Sequence, residues 1–287
     1  MPDLSLRPEI LNSVIYLYST VEAALSGERT GGTGVVLRCS FGANEQYVAL
    51  TNWHVSVQSR CSVVRYTAQD GRTKVIPSRP EDWFCGPSFP DIAFLALNLP
   101  PQLEMHPVAI LEDDILKSEE DLYPGEDLFM AGRFVDYDGK LTNRPALRFG
   151  ALSMTDVEVL QPNTSTLPSH VADMRSKPGF SGSPVYAYRP NGTITVASGS
   201  TLMTGMVLDG RNSRRQQGSA RNWGGGTNTT LRLVGLNYGG FMEVAKATMQ
   251  HTPEQAELYM ETSSMCLMVR SDDILDALEQ FKLKCGR

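Results

Sequence analysis

Three short segments carry side chains capable of nucleophilic chemistry, in the order His, Asp, Ser. They are Tyr47-Val-Ala-Leu-Thr-Asn-Trp-His54-Val55, Phe89-Pro-Asp91-Ile-Ala-Phe-Leu-Ala-Leu97 and Lys177-Pro-Gly-Phe-Ser181-Gly-Ser-Pro-Val185. A serine hydroxyl attacks a carbonyl carbon only when a base takes its proton. The oxyanion that forms then needs two donors aimed into one small volume. Gly179, Gly182 and Pro184 suit a tight loop around Ser181. Gly179 can adopt a backbone conformation that sets its N–H beside that of Ser181, which supplies two donors. The same composition also fits a plain β-turn with an exposed serine. It is not the nucleophile-elbow pattern, because Ser183 stands where the second glycine of Gly-x-Ser-x-Gly belongs.

His54 closes a strongly apolar run and is one of four histidines, with His106, His170 and His251. At a strand end it reads either as a hydrogen-bonded structural residue or as the base for Ser181. Asp91 stands directly before a run that reads as a buried strand, and an acid there needs a donor. It is either a turn or cap acid, or the acceptor of an imidazole N–H from His54. In the second case the carboxylate fixes the tautomer and stabilises the imidazolium.

The elements that must position these groups are mostly strands. Short runs rich in Val, Ile, Leu, Tyr and Phe, separated by Gly, Pro, Asn and Asp, predict strands at 13–18, 34–39, 47–51, 62–66, 92–97, 128–132, 144–152, 184–188, 193–196, 231–237 and 265–269. Arg189-Pro190-Asn191-Gly192 reads as a hairpin turn. Helical signals are few and late. Thr252-Pro253-Glu254 reads as a helix start, and Ser271-Asp272-Asp273 starts a better one, with Ile274, Leu275, Leu278 and Phe281 along one face. The acid-rich stretch 112–125, ending in Pro124-Gly125, divides the chain into a first β-rich unit, 1–117, and a second, 118–287. Within the second, 209–230 holds four arginines among Gly, Ser and Asn, and reads as a long, mobile, exposed loop.

Composition removes several classes of function. The chain has 287 residues, 41% hydrophobic and 20% charged, a globular balance that excludes disorder as a whole-chain description. Its net charge is −6 and its basic residues form no broad stripe, so no nucleic acid partner is expected. No apolar run approaches the roughly 20 residues that span a bilayer, so no membrane partner is expected either. The start, Met1-Pro-Asp-Leu-Ser-Leu-Arg-Pro, lacks the pattern of a secretory signal. The five cysteines, Cys39, Cys61, Cys85, Cys266 and Cys285, have no framework spacing. A cytoplasmic setting follows as the expectation. No metal or cofactor is expected, because histidines and cysteines lack zinc-like spacing. Gly31-Gly-Thr-Gly34 is a poor phosphate loop with no helical pattern after it.

Together the three segments resemble the chymotrypsin/trypsin-like serine protease family, closest to its bacterial trypsin-like, HtrA-like and glutamyl-endopeptidase-like members. Thr51-Asn-Trp-His54 is similar to the family's Thr-Ala-Ala-His element. Asp91-Ile-Ala-Phe-Leu95 matches its Asp-hydrophobic-Ala-x-Leu element, and Gly179-Phe-Ser181-Gly-Ser-Pro184 its Gly-Asp-Ser-Gly-Gly-Pro element. Gly32-Thr33-Gly34-Val-Val-Leu37 resembles an opening strand of the family, Leu233-Val-Gly-Leu-Asn237-Tyr-Gly-Gly240 its substrate-binding edge strand, and Cys266–Leu275 its last strand entering a C-terminal helix.

The resemblance implies an all-β fold of two six-stranded antiparallel β-barrels with a C-terminal α-helix, the site lying at their junction. It implies a serine endopeptidase with His54 as base, Asp91 as its orienter and Ser181 as nucleophile, acting on a polypeptide substrate. The N–H groups of Gly179 and Ser181 would form the oxyanion hole. Arg175, Ser176, Asn237, Tyr238, Gly239 and Gly240 would bind substrate, with a polar or acidic side chain preferred over a basic one. Two alternatives keep the fold: a catalytically silent peptide-binding or regulatory protein, and an esterase using the same triad. Val55 and Lys177 replace cysteines that pair in secreted animal members, which agrees with a reducing compartment. Phe180 replaces the acid that an N-terminal amine engages in members activated by cleavage. Phe180 is therefore expected to pack in the second barrel. Any switch is expected to be a ligand or activating partner protein that orders the loop around Arg175–Gly179, not proteolysis.

Overall fold

The computed structural model describes residues 8–28, 30–86, 91–117, 122–134, 142–160, 166–189, 195–196, 200–201, 230–245 and 259–285. The first half contains α1 (Pro8–Asn12), β1 (Val14–Tyr18), α2 (Val21–Ser26), β2 (Thr30–Phe41), β3 (Asn44–Thr51), β4 (Val63–Thr67), β5 (Thr73–Ile76), β6 (Ala93–Ala96) and β7 (Ile110–Leu111). The second contains β8 (Asp127–Gly132), β9 (Ala146–Leu160), β10 (Thr166–Asp173), β11 (Pro184–Arg189), β12 (Thr195–Val196), β13 (Ser200–Thr201), β14 (Thr230–Ala245), β15 (Tyr259–Arg270) and α3 (Ser271–Cys285).

The first sheet runs β5-β4-β1-β2-β3-β6, all neighbours antiparallel, with two-residue β7 added parallel to β2. The second closes into a barrel of order β10-β15-β14-β11-β8-β9. The architecture is an all-β double barrel with a C-terminal helix, as the family resemblance implied, with β7 as a seventh strand in the first sheet. β1, Val-Ile-Tyr-Leu-Tyr, is buried along its whole length and so reads as a continuous apolar run rather than an alternating one. β2 is long enough to serve several neighbours. Its first half pairs with β1 and its second half with β3, and β7 joins at Leu37 and Arg38.

Some elements went unpredicted. α2 is a single short helix, capped by the Thr20 hydroxyl accepting the Ala23 N–H at 3.1 Å and by Gly27 in the left-handed region. β10 contains Pro168, which argues against a central strand. Its ladder to β15 begins only at His170, so at Pro168 the strand is paired with β9 alone. The expected hairpin turn after Arg189, the loop over 209–229 and the helix start at Thr252 lie outside the described residues.

One apolar cluster draws on both sheets and the last helix. Leu37, Leu50 and Phe94 come from the first sheet, Phe129, Tyr186 and Leu267 from the second, and Ile274, Leu278 and Phe281 from α3. These last three share the face predicted by helical spacing. Phe281 carries the helix onto the first sheet, with ring centroids 5.5 Å from Phe94, 5.6 Å from Phe84 and 6.1 Å from Phe41. Beside it, Lys282 Nζ donates to Glu112 at 2.5 Å. All five cysteines are free. Among the described residues, no helix is long and apolar enough to cross a membrane.

Candidate active site

Strand register brings His54 to Asp91. β3 pairs with β6 through Thr51 and Ala93. Each chain then continues past that pair toward the other, so the residues beyond Thr51 meet those before Ala93. His54 opens a tight π-type turn, His54–Gln58, in which the Asn52 carbonyl accepts the N–H groups of Val55 and Ser56, both at 3.2 Å. The Asn52 side-chain amide donates to the Asp91 carbonyl at 3.0 Å.

The Asp91 carboxylate is fully buried and works entirely on His54. The His54 backbone N–H donates to Oδ1 at 2.9 Å, and Nδ1 lies 2.8 Å from Oδ2 and 3.0 Å from Oδ1. A carboxylate oxygen that accepts from Nδ1–H selects the tautomer of the neutral ring in which Nε2 holds the lone pair. The imidazole stays partly open to solvent, its side chain 21% exposed.

Ser181 sits on two consecutive turns. The Phe180 N–H donates to the Lys177 carbonyl at 3.0 Å, and the Ser183 N–H to the Phe180 carbonyl at 2.9 Å. The third residue of each turn is a glycine with positive φ, Gly179 at 91° and Gly182 at 82°, the requirement of a type II turn; Pro178 takes the favoured second position of the first. A side chain at Gly182 is excluded twice, because its β-carbon would overlap the Thr33 carbonyl oxygen and Thr51 Oγ1.

Three consecutive carbonyls of this loop are held from outside. Gly179 O accepts Thr33 Oγ1–H at 2.7 Å, Phe180 O accepts the Asn237 amide at 2.9 Å, and Ser181 O accepts the Thr33 N–H at 2.8 Å. The N–H groups of Gly179 and Ser181 make no hydrogen bond among the described residues. The serine turn also lies against the histidine turn. Gly32 separates them so closely that a β-carbon on it would be 2.7 Å from Val55 Cγ1 and 3.0 Å from the Ser181 carbonyl oxygen. No hydrogen bond joins Ser181 Oγ to His54 in this structure, among the described residues.

The residues proposed to bind substrate divide into two groups. Arg175 is exposed, with no ion pair among the described residues, and Gly239 and Gly240 are half-buried, with open space beside Gly239. Ser176, Asn237 and Tyr238 face inward instead. Asn237 is fully buried, and its amide also donates to Ser176 Oγ at 3.1 Å. Tyr238 is 8% exposed, and its hydroxyl meets Ser169 Oγ at 3.1 Å. The β14–β15 ladder shifts register between Asn237 and Gly239. Phe180 packs in the second barrel's core at 0% exposure, with the Arg148 guanidinium 4.8 Å over its ring.

Sequence reasoning did not single out Thr33 or Asn52, both fully buried and both bonded to site segments. The one available signal was their polarity inside otherwise apolar or glycine-rich strand ends. Among the described residues, no group of three or more His, Cys, Asp or Glu could hold a metal ion.

No protein-family model matches this chain, and no curated protein matches it. Solved structures do. The protease domain of MamO from Magnetospirillum magneticum, in its apo form, is 14% identical, with a TM-score of 0.52 over 94% of this chain and 98% of that one. The HtrA-type protease AlgW with a tripeptide is 16% identical, with a TM-score of 0.50 over 96% of this chain. This chain spans 60% of the length of AlgW. At such identities the likeness establishes the fold, a double barrel shared with serine protease domains.

Proposed function

We propose that this chain is a serine endopeptidase that cleaves peptide bonds through an acyl-enzyme, with His54, Asp91 and Ser181 as its triad. The observation that carries the reading is the His54–Asp91 pair, bonded at 2.8 Å with the carboxylate fully buried, against a turn whose Gly179 and Ser181 N–H groups make no hydrogen bond among the described residues. Ser181 Oγ attacks the scissile carbonyl carbon while its proton passes to His54 Nε2. The oxyanion is received by the Gly179 and Ser181 N–H groups. As the tetrahedral intermediate collapses, His54 returns the proton to the leaving amine, and water then repeats the sequence on the ester. The chemistry requires Ser181 Oγ to come within about 3 Å of Nε2 when substrate binds.

The substrate is proposed to be an extended polypeptide lying along the backbone at Gly239 and Gly240, where strand addition supplies affinity without side chains. AlgW, solved with a tripeptide, is consistent with such a ligand. Exposed Arg175 favours a polar or acidic residue before the scissile bond. A cytoplasmic setting fits five unpaired cysteines. The boundary near residue 117 and an activating partner that orders 175–179 belong to the same proposal.

The missing Ser181–His54 hydrogen bond favours one second reading, a silent peptide-binding protein on the same fold. Fluorophosphonate labelling separates the two. Wild type labelled at Ser181, with labelling abolished in Ser181→Ala and at least about 10³-fold slower in His54→Ala, supports the protease. A folded wild type that never labels, with or without peptide, supports the silent binder.

A further inference from the structure

The serine-bearing turn belongs to the second barrel, yet much of what fixes it belongs to the first. Thr33 lies near the start of β2, fully buried, and directs its polar groups to three other segments. Its hydroxyl donates to Gly179 O at 2.7 Å and accepts the Arg133 N–H, just beyond β8, at 3.1 Å. Its N–H donates to Ser181 O at 2.8 Å, and its carbonyl accepts Thr51 Oγ1–H at 2.6 Å. Thr51 lies three residues before His54.

A peptide unit is planar and trans, so its carbonyl and its N–H point in opposite directions. Gripping the carbonyl therefore aims the N–H on the far edge. Asn237, from the second barrel, grips Phe180 O and thereby turns the Ser181 N–H of that same peptide away from the core. Thr33 Oγ1, from the first barrel, grips Gly179 O, and the Phe180 N–H on the other edge of that peptide donates to Lys177 O at 3.0 Å, so the plane next to the Gly179 N–H is held on one side by the first barrel and on the other by the turn itself. Gly179 sits at φ 91° with no side chain to limit it, so its orientation depends on hydrogen bonds such as the one from Thr33.

We infer that Thr33 is a positioning residue for the oxyanion hole, its hydroxyl tying the first barrel to the Gly179 peptide so that the site is competent only when the barrels are docked. This rests on the protease reading above. Shape alone does not account for the side chain, because valine fills the same volume. The hydroxyl is what makes two of the four bonds.

The test uses Thr33→Val, which keeps the shape and removes the hydroxyl, and Thr33→Ser, which keeps the hydroxyl and removes the methyl. Thr33→Ala is the second variant if valine does not fold, and thermal unfolding reports folding for each. The readouts are the rate of fluorophosphonate labelling at Ser181 and the kcat and KM for a peptide substrate. Loss of an oxyanion donor costs about 10²–10³-fold in kcat. Loosening one is expected to cost about 10–100-fold in both labelling and kcat, with KM within about twofold and Thr33→Ser within about threefold of wild type. Wild type that labels while folded Thr33→Val or Thr33→Ala labels equally fast overturns this inference alone. So does a Thr33→Ser variant as slow as Thr33→Val. A folded wild type that never labels overturns the protease reading, and this inference falls with it.

Discussion

Asp91→Asn isolates the electronic part of the proposed triad, because the two side chains have nearly the same size and no cavity is created. In the native arrangement Oδ1 accepts the His54 backbone N–H at 2.9 Å, and Oδ2 accepts Nδ1–H at 2.8 Å. An amide offers one acceptor and one donor in their place. If its oxygen faces Nδ1, its NH₂ opposes the backbone N–H, two buried donors together, at a cost of about 1–3 kcal/mol. If its oxygen faces the backbone N–H, its NH₂ faces Nδ1. The backbone cannot change protonation state, but the imidazole can, so the second orientation prevails and the ring proton moves to Nε2. That nitrogen then has no lone pair for the Ser181 proton. The expected loss is about 10⁴-fold in kcat, the scale of a triad locked in the wrong tautomer, or about 5.4 kcal/mol at 1.36 kcal/mol per decade. Fold stability should change little, because no charge remains to be desolvated. Steady-state peptide hydrolysis and fluorophosphonate labelling, run beside thermal unfolding, measure both parts. A folded Asp91→Asn enzyme retaining more than about a tenth of wild-type kcat would refute the tautomer argument.

Three further outcomes follow from packing and burial. Phe180→Ala empties a fully buried site beneath Arg148 and should cost about 3–5 kcal/mol in denaturant unfolding; a change below about 1 kcal/mol would contradict the core role of this ring. Phe281→Ala should cost a similar amount, and wild type should unfold in one transition because its cluster spans both sheets; two separated transitions in wild type would show that the sheets unfold independently. Burial, opposed by Asp156 and Asp273 and aided by Arg270, holds the His170 imidazole below its ordinary pKa of 6.5. The unfolded chain therefore binds the proton more readily, and the His170 contribution to stability is lost as pH falls below about 6.5. His170→Gln should flatten that part of the stability–pH curve, and an unchanged slope would exclude His170 as its source.

The parts of this fold legible in sequence are those where one pattern dominates. β1 is apolar throughout, α3 repeats its apolar residues at helical spacing behind Asp272 and Asp273, and Asp91 directly abuts its strand. What escaped depended on partners distant in sequence. Pro168 is tolerated because β15 reaches β10 only from His170 onward, a fact of pairing that no local composition records. Asn237 and Tyr238 turn inward onto Ser176, Phe180 and Ser169, partners 57 to 69 residues away in sequence. Thr33 is hidden for another reason. Between Gly32 and Gly34 it resembles any small strand residue, and its bonds reach residues 51, 133, 179 and 181.

Attachment of α3 to the first sheet also bears on how the chain is made. Synthesis delivers the first sheet early, with Phe41, Phe84 and Phe94 in place, but the ring that fills the space among them is Phe281. Until that late residue emerges, the early half presents an aromatic surface with nothing on it, the kind of surface that holds a nascent domain in an aggregation-prone intermediate. The same delay applies to the serine turn, whose grip by Thr33 spans 146 residues. Contacts of such separation form late in folding. On the proposed chemistry, a ribosome-bound fragment already carries His54, Asp91 and Ser181 yet lacks the framework that makes them dangerous.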